Sequence, residues 1–242
     1  MRDSTAAIIV IGDEILSGKT REENAQYLTR ELRALGVSLR RIIVVPDVIA
    51  EIAATVRDYA SRYDWVVTSG GVGPTHDDLT MEGVAQAFDT RVVRNAELER
   101  LLRGHYGERL EPRNLRMADV PDGVTLHASN HAAWPVVAFR NVFILPGIPE
   151  IFRLKFEAVR EQLRSPPFHL KMVHVAADEG AIAAHLDAVV ASYPDVAVGS
   201  YPRIVEGGWK VKLTLESKDA ARVEAAAAEL VRRLGAAVES VE

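Results

Sequence analysis

The sequence predicts an α/β domain on a mostly parallel sheet, followed by a smaller α+β domain of ferredoxin-like order. Three observations carry this. Short apolar runs alternate with segments of helical period through the first two thirds of the 242 residues. Most of those runs lack in-out alternation, as strands covered by helices on both faces should. After Pro166 and Pro167 the order of elements changes to β-α-β-β-α-β, the split βαβ arrangement.

Residues 6–11 form an apolar run ended by Gly12 and read as a buried parallel strand. Over residues 22–35, Ala25, Leu28, Leu32 and Leu35 recur at helical spacing, and Gly36 supplies the stop. "VSLRRIIVVPD" is a second strand. Residues 49–59 are helical again, with Ile52, Val56 and Tyr59 on one face. "WVVTSGG" is a third strand running into glycine, and a helix begins near Leu79. Residues 97–106 read as helix, and a loop-rich excursion with a short strand at 124–127 follows. "PVVAF" and "NVFILPG" are strands around an Arg140-Asn141 turn, and a helix opens at Pro149 and runs to about 163.

"RSPPF", residues 164–168, is the domain boundary, because two consecutive prolines cannot continue a helix. The expected domains are residues 1–165 and 169–242. In the second, strands at 170–177, 196–202, 208–217 and 236–242 enclose helices at 179–191 and 220–234. "WKVKLTLE" alternates strictly, as a strand with one wet face does.

A net charge of −5 argues against nucleic acid as a partner, since a phosphate backbone attracts a basic surface. The absence of cysteine excludes disulfides, thiolate metal sites and a catalytic thiol. The apolar run near the N-terminus is far too short to span a membrane, and no cleavable leader is evident. A cytoplasmic protein is expected.

Three stretches could carry chemistry. In "VVTSGGVGPTHDDLT", Gly70, Gly71 and Gly73 follow a strand, at the edge where open α/β sheets bind ligands. Glycines there let backbone N–H groups approach a phosphate. A strand-to-helix turn with Asp78 or Thr80 as cap accounts for part of this, but not for Asp77 beside Asp78. Two acids beside a phosphate loop make sense with Mg²⁺ between them, which binds one or two carboxylates plus phosphate oxygens. In "GDEILSGKTREEN", Asp13 and Glu14 should emerge at the same edge, with Lys19 in solvent and Asn24 near the start of the next helix. Thr20 and Glu23 have the spacing of a capping box. In "NVFILPGIPEIF", Gly147 either makes a plain turn or forms a wall of the same crevice, and Glu150 complements the helix dipole.

"GDEILSG", "SGGVGPTHDDLT" and "LPGIPE", in this order, resemble the molybdopterin-binding-type domain of the competence/damage-inducible (CinA-type) proteins. The likeness covers most of residues 1–165, and the trailing module with "VGSYP" is similar to the ferredoxin-like domain that follows in that family. The resemblance implies a three-layer α/β fold shared with enzymes of molybdenum-cofactor assembly. By spacing, Asp78 matches the aspartate of the family's D-x-T triplet and Thr80 its threonine. It also implies metal-dependent hydrolysis of ADP-ribose to AMP and ribose 5-phosphate, or of FAD as in a eukaryotic relative fused to FAD synthase.

On that basis Asp13, Asp77 and Asp78 are the expected catalytic residues, and with Glu14 the ligands of Mg²⁺ or Mn²⁺. A monovalent cation is a further candidate cofactor. Gly70, Gly71, Gly73, Thr75, Thr80, Gly147 and Asn24 are expected to hold the substrate. The expected partner is an adenosine diphosphate ester or a pterin, and the expected assembly a homo-oligomer, with a dimer preferred. Tyr201 or Arg203 would then either serve an ordinary turn or reach a site in the partner subunit. Adenylyl transfer onto a pterin and a non-catalytic binding module are the rival functions. The family's C-terminal nicotinamide-mononucleotide deamidase domain is expected to be missing after Glu242. "NHAAWPVV" stands where many members carry an "APG"-like turn, which leaves substrate choice open.

Overall fold

A computed structural model describes residues 4–128, 134–203 and 208–242. Part of "NHAAWPVV" therefore lies outside the described residues. The chain forms two compact units, Met1–Ser165 and Pro166–Glu242.

The first unit runs β1 (Thr5–Ile11), α1 (Asp13–Leu16), α2 (Asn24–Ala34), β2 (Ser38–Val45), α3 (Ile49–Arg62), β3 (Trp65–Ser69) and α4 (Thr80–Ala87). It continues with β4 (Val92–Arg94), α5 (Ala96–Tyr106), β5 (Asp119–Pro121), β6 (Thr125–His127), β7 (Val136–Phe139), β8 (Val142–Leu145) and α6 (Pro149–Val159). Its main sheet has the order β2-β1-β3-β8-β7-β6. The pairs from β2 through β8 are parallel, and β7 and β6 are antiparallel additions. This is the mostly parallel α/β sheet that the sequence predicts.

The alternation of side chains along β1 explains the three layers. Ala7, Ile9 and Ile11 enter one apolar cluster with Ile52 and Val56 of α3, Val84 of α4 and Leu98 of α5. Ala6, Ile8 and Val10 enter a second with Leu28 and Leu32 of α2 and Phe152 and Phe156 of α6. Each face of the strand is thus buried under helices, which is why the run carries no polar residue. Asn141 in the β7–β8 turn donates to the carbonyls of Ala60 and Tyr63 at 3.0 and 2.9 Å, tying that turn to the end of α3.

The second unit runs β9 (His169–Val175), α7 (Glu179–Ser192), β10 (Ala197–Pro202), β11 (Val211–Ser217), α8 (Ala220–Leu234) and β12 (Val238–Val241). Its sheet is antiparallel, in the order β10-β11-β9-β12, which is the ferredoxin-like arrangement. Val173, Val175, Leu213 and Leu215 pack under Ile182, Val189 and Leu230 of the two helices.

Several local expectations are corrected. α2 starts at Asn24 after Glu23, and no side chain caps it there. Thr20 lies outside the helix, its N–H bonded to Glu14 O at 3.1 Å in the turn after α1, so it forms no capping box with Glu23. The Ala25 N–H instead takes Glu22 Oε1 at 2.8 Å. The helix at Pro149 ends at Val159 and tightens into a 3-10 turn over Arg160–Leu163. The short helix α1 and the β4–β5 ribbon were not expected. No helix of the described residues is long and apolar enough to cross a membrane.

Candidate functional site

β1, β3 and β8 are parallel, so their carboxyl ends share one edge of the sheet. β7 runs the other way, which brings its first residues to that same edge. A cleft of about 1220 Å³ opens there. Glu14, Asn24, Gly71, Asp78, Gly147 and Lys155 are among its polar and backbone lining, and Tyr106, Met117, Trp134, Ile148 and Leu154 give it an apolar side.

The glycine loop is shaped first by close packing. Gly70 has φ +107°, and a Cβ there would stand 2.2 Å from the Ile11 carbonyl oxygen at the end of β1. Gly71 has φ +64°, and its Cβ would stand 2.4 Å from Thr80 Oγ1. Both conditions exclude an L side chain. The Gly70 N–H donates to Leu145 O at 3.1 Å. It is therefore committed to the β8 side of the sheet and not to a phosphate, contrary to the role expected for it. Gly70 O accepts from Thr80 Oγ1 at 2.8 Å, and Gly71 O from Thr80 N at 3.0 Å. Thr80 is fully buried, so its hydroxyl serves the loop and does not face the cleft. Gly73 leaves room for Asp78, whose Oδ2 would lie 2.6 Å from a Cβ at that position.

The acids lie around this loop. Asp78 Oδ2 accepts from Thr75 N at 2.8 Å, and Thr75 Oγ1 lies 2.6 Å from both Asp78 Oδ2 and Asp77 Oδ1. The hydroxyl has one proton to donate, so it serves one of the two carboxylates at a time while lying between both. Neither Asp78 nor Thr80 caps α4, which follows Leu79 without a side-chain cap, because both side chains are turned into the loop. The Thr75 hydroxyl, then a backbone N–H and the His76 charge, hold the Asp77 carboxyl below its usual range. Arg116 donates to Thr75 O at 2.6 Å and lies 3.5 Å from Glu82, so it anchors the loop from the excursion after α5.

The Asp13 N–H donates to Asp47 Oδ2 at 2.9 Å. Burial raises the Asp47 carboxyl, the Asp13 N–H opposes this, and the charges of Asp13, Glu14 and Asp77 raise it further. The carboxylates after β1, β2 and β3 thus share one field. Among the described residues, no group of three His, Cys, Asp or Glu side chains is placed to hold a metal ion alone. These carboxylates do not form an all-protein metal cage among the described residues.

Asn24 joins the other elements. It is 5% exposed, and its Nδ2 donates to Ser69 Oγ at 2.9 Å and Gly147 O at 2.7 Å. It thereby clips the ends of β3 and β8 to the start of α2. Its Oδ1 is buried without a hydrogen-bond partner among the described residues. Lys155 is 7% exposed, and its Nζ donates to Pro135 O at 2.7 Å. Burial pushes its pKa down to about 8.

The structure therefore brings Glu14, Asn24, Gly70, Gly71, Gly73, Asp78 and Gly147 to one cleft, with Asp13, Asp77 and Thr75 linked to it through contacts or charge. His76 points into solvent. In the second unit Tyr201 is half exposed under Lys212, and Arg203 lies 4.8 Å over Trp209. Asp47, Arg116 and Lys155 were not singled out from the sequence. Asp47 had a signal, since "VVPD" ends a strand as "VIGD" does. Lys155 had one too, as the only charge on the buried stripe of Phe152, Phe156 and Val159.

Residues 7–165 match the family model described as "Probable molybdopterin binding domain", and residues 167–241 that described as "FAD synthase, middle domain". A "Probable FAD synthase" from Caenorhabditis briggsae is 36% identical over 183 residues, covering 66% of this chain and 35% of the relative. A "CinA-like protein" from Gemmatimonas aurantiaca is 38% identical over 155 residues, covering 60% of this chain and 36% of the relative. The chain thus spans about a third of the length of each. The solved structure of "the protein CinA with unknown function" from Thermoplasma acidophilum superposes with a TM-score of 0.61 at 31% identity. That match covers 67% of this chain and all of the other.

Proposed function

For a chain that belongs to the molybdopterin-binding-domain family, and whose second unit matches the middle domain of FAD synthase, we propose metal-dependent hydrolysis of an adenosine diphosphate ester. FAD and ADP-ribose are the candidate substrates. Water adds across the P–O–P bond, giving AMP with FMN from FAD, or AMP with ribose 5-phosphate from ADP-ribose. The carrying observation is the cleft itself. At about 1220 Å³ it exceeds the roughly 300–1,000 Å³ of ordinary small-molecule pockets. Both acids and apolar side chains line it, which suits an extended ligand with a charged centre and a planar end.

Asp13, Glu14, Asp77 and Asp78 would hold a divalent cation, Mg²⁺ or Mn²⁺. Such an ion neutralises a diphosphate and lowers the pKa of bound water. Asp13, Asp77 and Asp78 would orient the attacking water, with Thr75 holding the last two in register. Asn24, the loop glycines and Gly147 would line the substrate. A monovalent cation is proposed as a further requirement, a homodimer as the assembly, and the cytoplasm as the location.

A panel of FAD, ADP-ribose, NADH and molybdopterin, with and without Mg²⁺ or Mn²⁺, tests this by AMP release. The Asp78→Ala chain should lose turnover while keeping its melting temperature. Full metal-dependent turnover in that variant sinks the assignment. Pterin binding without product supports the rival reading, for which the description of the matched family speaks.

A further inference from the structure

Among the described residues, Lys155 carries a charge with no counter-charge. It lies on α6 between Phe152 and Phe156, almost fully buried, with the Pro135 carbonyl as its hydrogen-bond acceptor. No carboxylate of the described residues pairs with it. A carbonyl offers only a partial charge, so an ammonium removed from water on that contact alone is costly. The cost falls when an anion arrives.

Its place in the fold says where that anion would lie. Pro135 immediately precedes β7, whose first residues stand at the edge where β1, β3 and β8 end. Lys155 accordingly lines the cleft from the β8–β7 side. Asp47, Asp13 and Asp77 follow β2, β1 and β3 on the other side, while Glu22 and Glu23 also line the cleft, Ala25 N–H donating to Glu22 and Arg153 pairing with Glu23. An anion over β3 and β8 would otherwise meet carboxylates and a loop whose Gly70 N–H is already taken. Arg21 and Arg100 also line the cleft, but both are exposed and solvated. Lys155 is its buried cation.

We propose that Lys155 is the phosphate-binding residue of the cleft, its ammonium donating to a phosphate oxygen of the ligand. This rests on the cleft being a phosphate-ester site, but not on turnover. The ammonium need only turn from the Pro135 carbonyl toward the ligand.

Pyrophosphate, which has no ring and no sugar, is the probe. Titration calorimetry of the full chain should show Lys155→Met binding it about ten- to a hundred-fold more weakly, as loss of a charge-assisted hydrogen bond predicts. Lys155→Arg should recover part of the loss. Equal affinity in wild type and a folded Lys155→Met chain overturns the role, as does a wild type that does not bind pyrophosphate. If Lys155→Met fails to fold, acylation of wild-type lysines read by mass spectrometry decides. Pyrophosphate should slow labelling of Lys155 but not of exposed Lys19, and equal labelling of Lys155 with and without it overturns the role. Lys155-dependent pyrophosphate binding without AMP release from FAD or ADP-ribose supports this role while defeating the hydrolase reading.

Discussion

Thr80 is the residue through which the glycine loop and α4 become one piece, so replacing it by valine tests how the site is held. Its hydroxyl donates to Gly70 O at 2.8 Å and its N–H to Gly71 O at 3.0 Å, with the side chain fully buried. Thr80→Val keeps the branched shape but removes the donor. Losing the partner of a buried acceptor costs about 1–3 kcal/mol. A methyl also cannot stay 2.8 Å from a carbonyl oxygen, so the Gly70 carbonyl must shift as well. With about 2 kcal/mol lost from a unit of this size, the melting temperature should fall by about 4–8 °C. Thr80→Ser retains the donor and should lose less. Scanning calorimetry of the two variants beside wild type measures this, with the transition of the first unit expected to move. If Thr80→Val melts within about 1 °C of both wild type and Thr80→Ser, a difference worth only a few tenths of a kcal/mol, the hydroxyl does not hold the loop. The reasoning would then be refuted.

Two further outcomes follow from the same edge of the sheet. Gly70→Ala places a methyl on a backbone oxygen of β1 at a φ that alanine avoids. It should destabilise the first unit by at least about 1–3 kcal/mol from backbone strain alone, and urea unfolding with a wild-type midpoint would contradict this. Lys155 stands at about 8 in the folded chain against 10.5 for an ordinary lysine. Between these values the unfolded chain holds the extra proton, so stability should rise with pH there, by on the order of 3 kcal/mol relative to Lys155→Met. A wild-type-minus-variant stability that is flat or falling from pH 8 to 10.5 would sink the buried-ammonium account.

The elements legible in the sequence were those whose signal is local. β1 shows as an apolar run, and α2 shows its core face through Ala25, Leu28 and Leu32, all of them buried. α1 was missed because four residues are too few to show a helical period. The β4–β5 ribbon was missed because two three-residue strands pair across α5, and neither carries its own signature. The site divides in the same way. Asp13, Glu14, Gly70, Gly71, Asp77 and Asp78 were legible as types that follow apolar runs. Asp47 meets Asp13 only because β2 lies beside β1, and Lys155 meets Pro135 only because β7 turns back along β8. Both depend on strand order, which no window of the chain displays.

That division changes what the glycines mean. Read in sequence, three glycines before two acids suggest an anion held by backbone N–H groups. In the fold, Gly70 is glycine because Ile11 O is 2.2 Å from where its Cβ would be, and Gly71 because Thr80 packs against it. These constraints hold with or without a ligand. The loop's role is to bring Asp77 and Asp78 to the end of β3 and fix them through Thr75 and Arg116. With the Gly70 N–H bonded to Leu145 O, the loop offers a phosphate one donor fewer, and a positive charge elsewhere in the cleft would offset that. Lys155 on the β8–β7 side is the buried group able to supply it, while the carboxylates on the β1–β3 side are free to serve a cation. Binding and turnover would then fall on different residues and separate experimentally: loss of Lys155 should weaken pyrophosphate binding, and loss of Asp78 should stop hydrolysis without weakening pyrophosphate binding in the absence of metal.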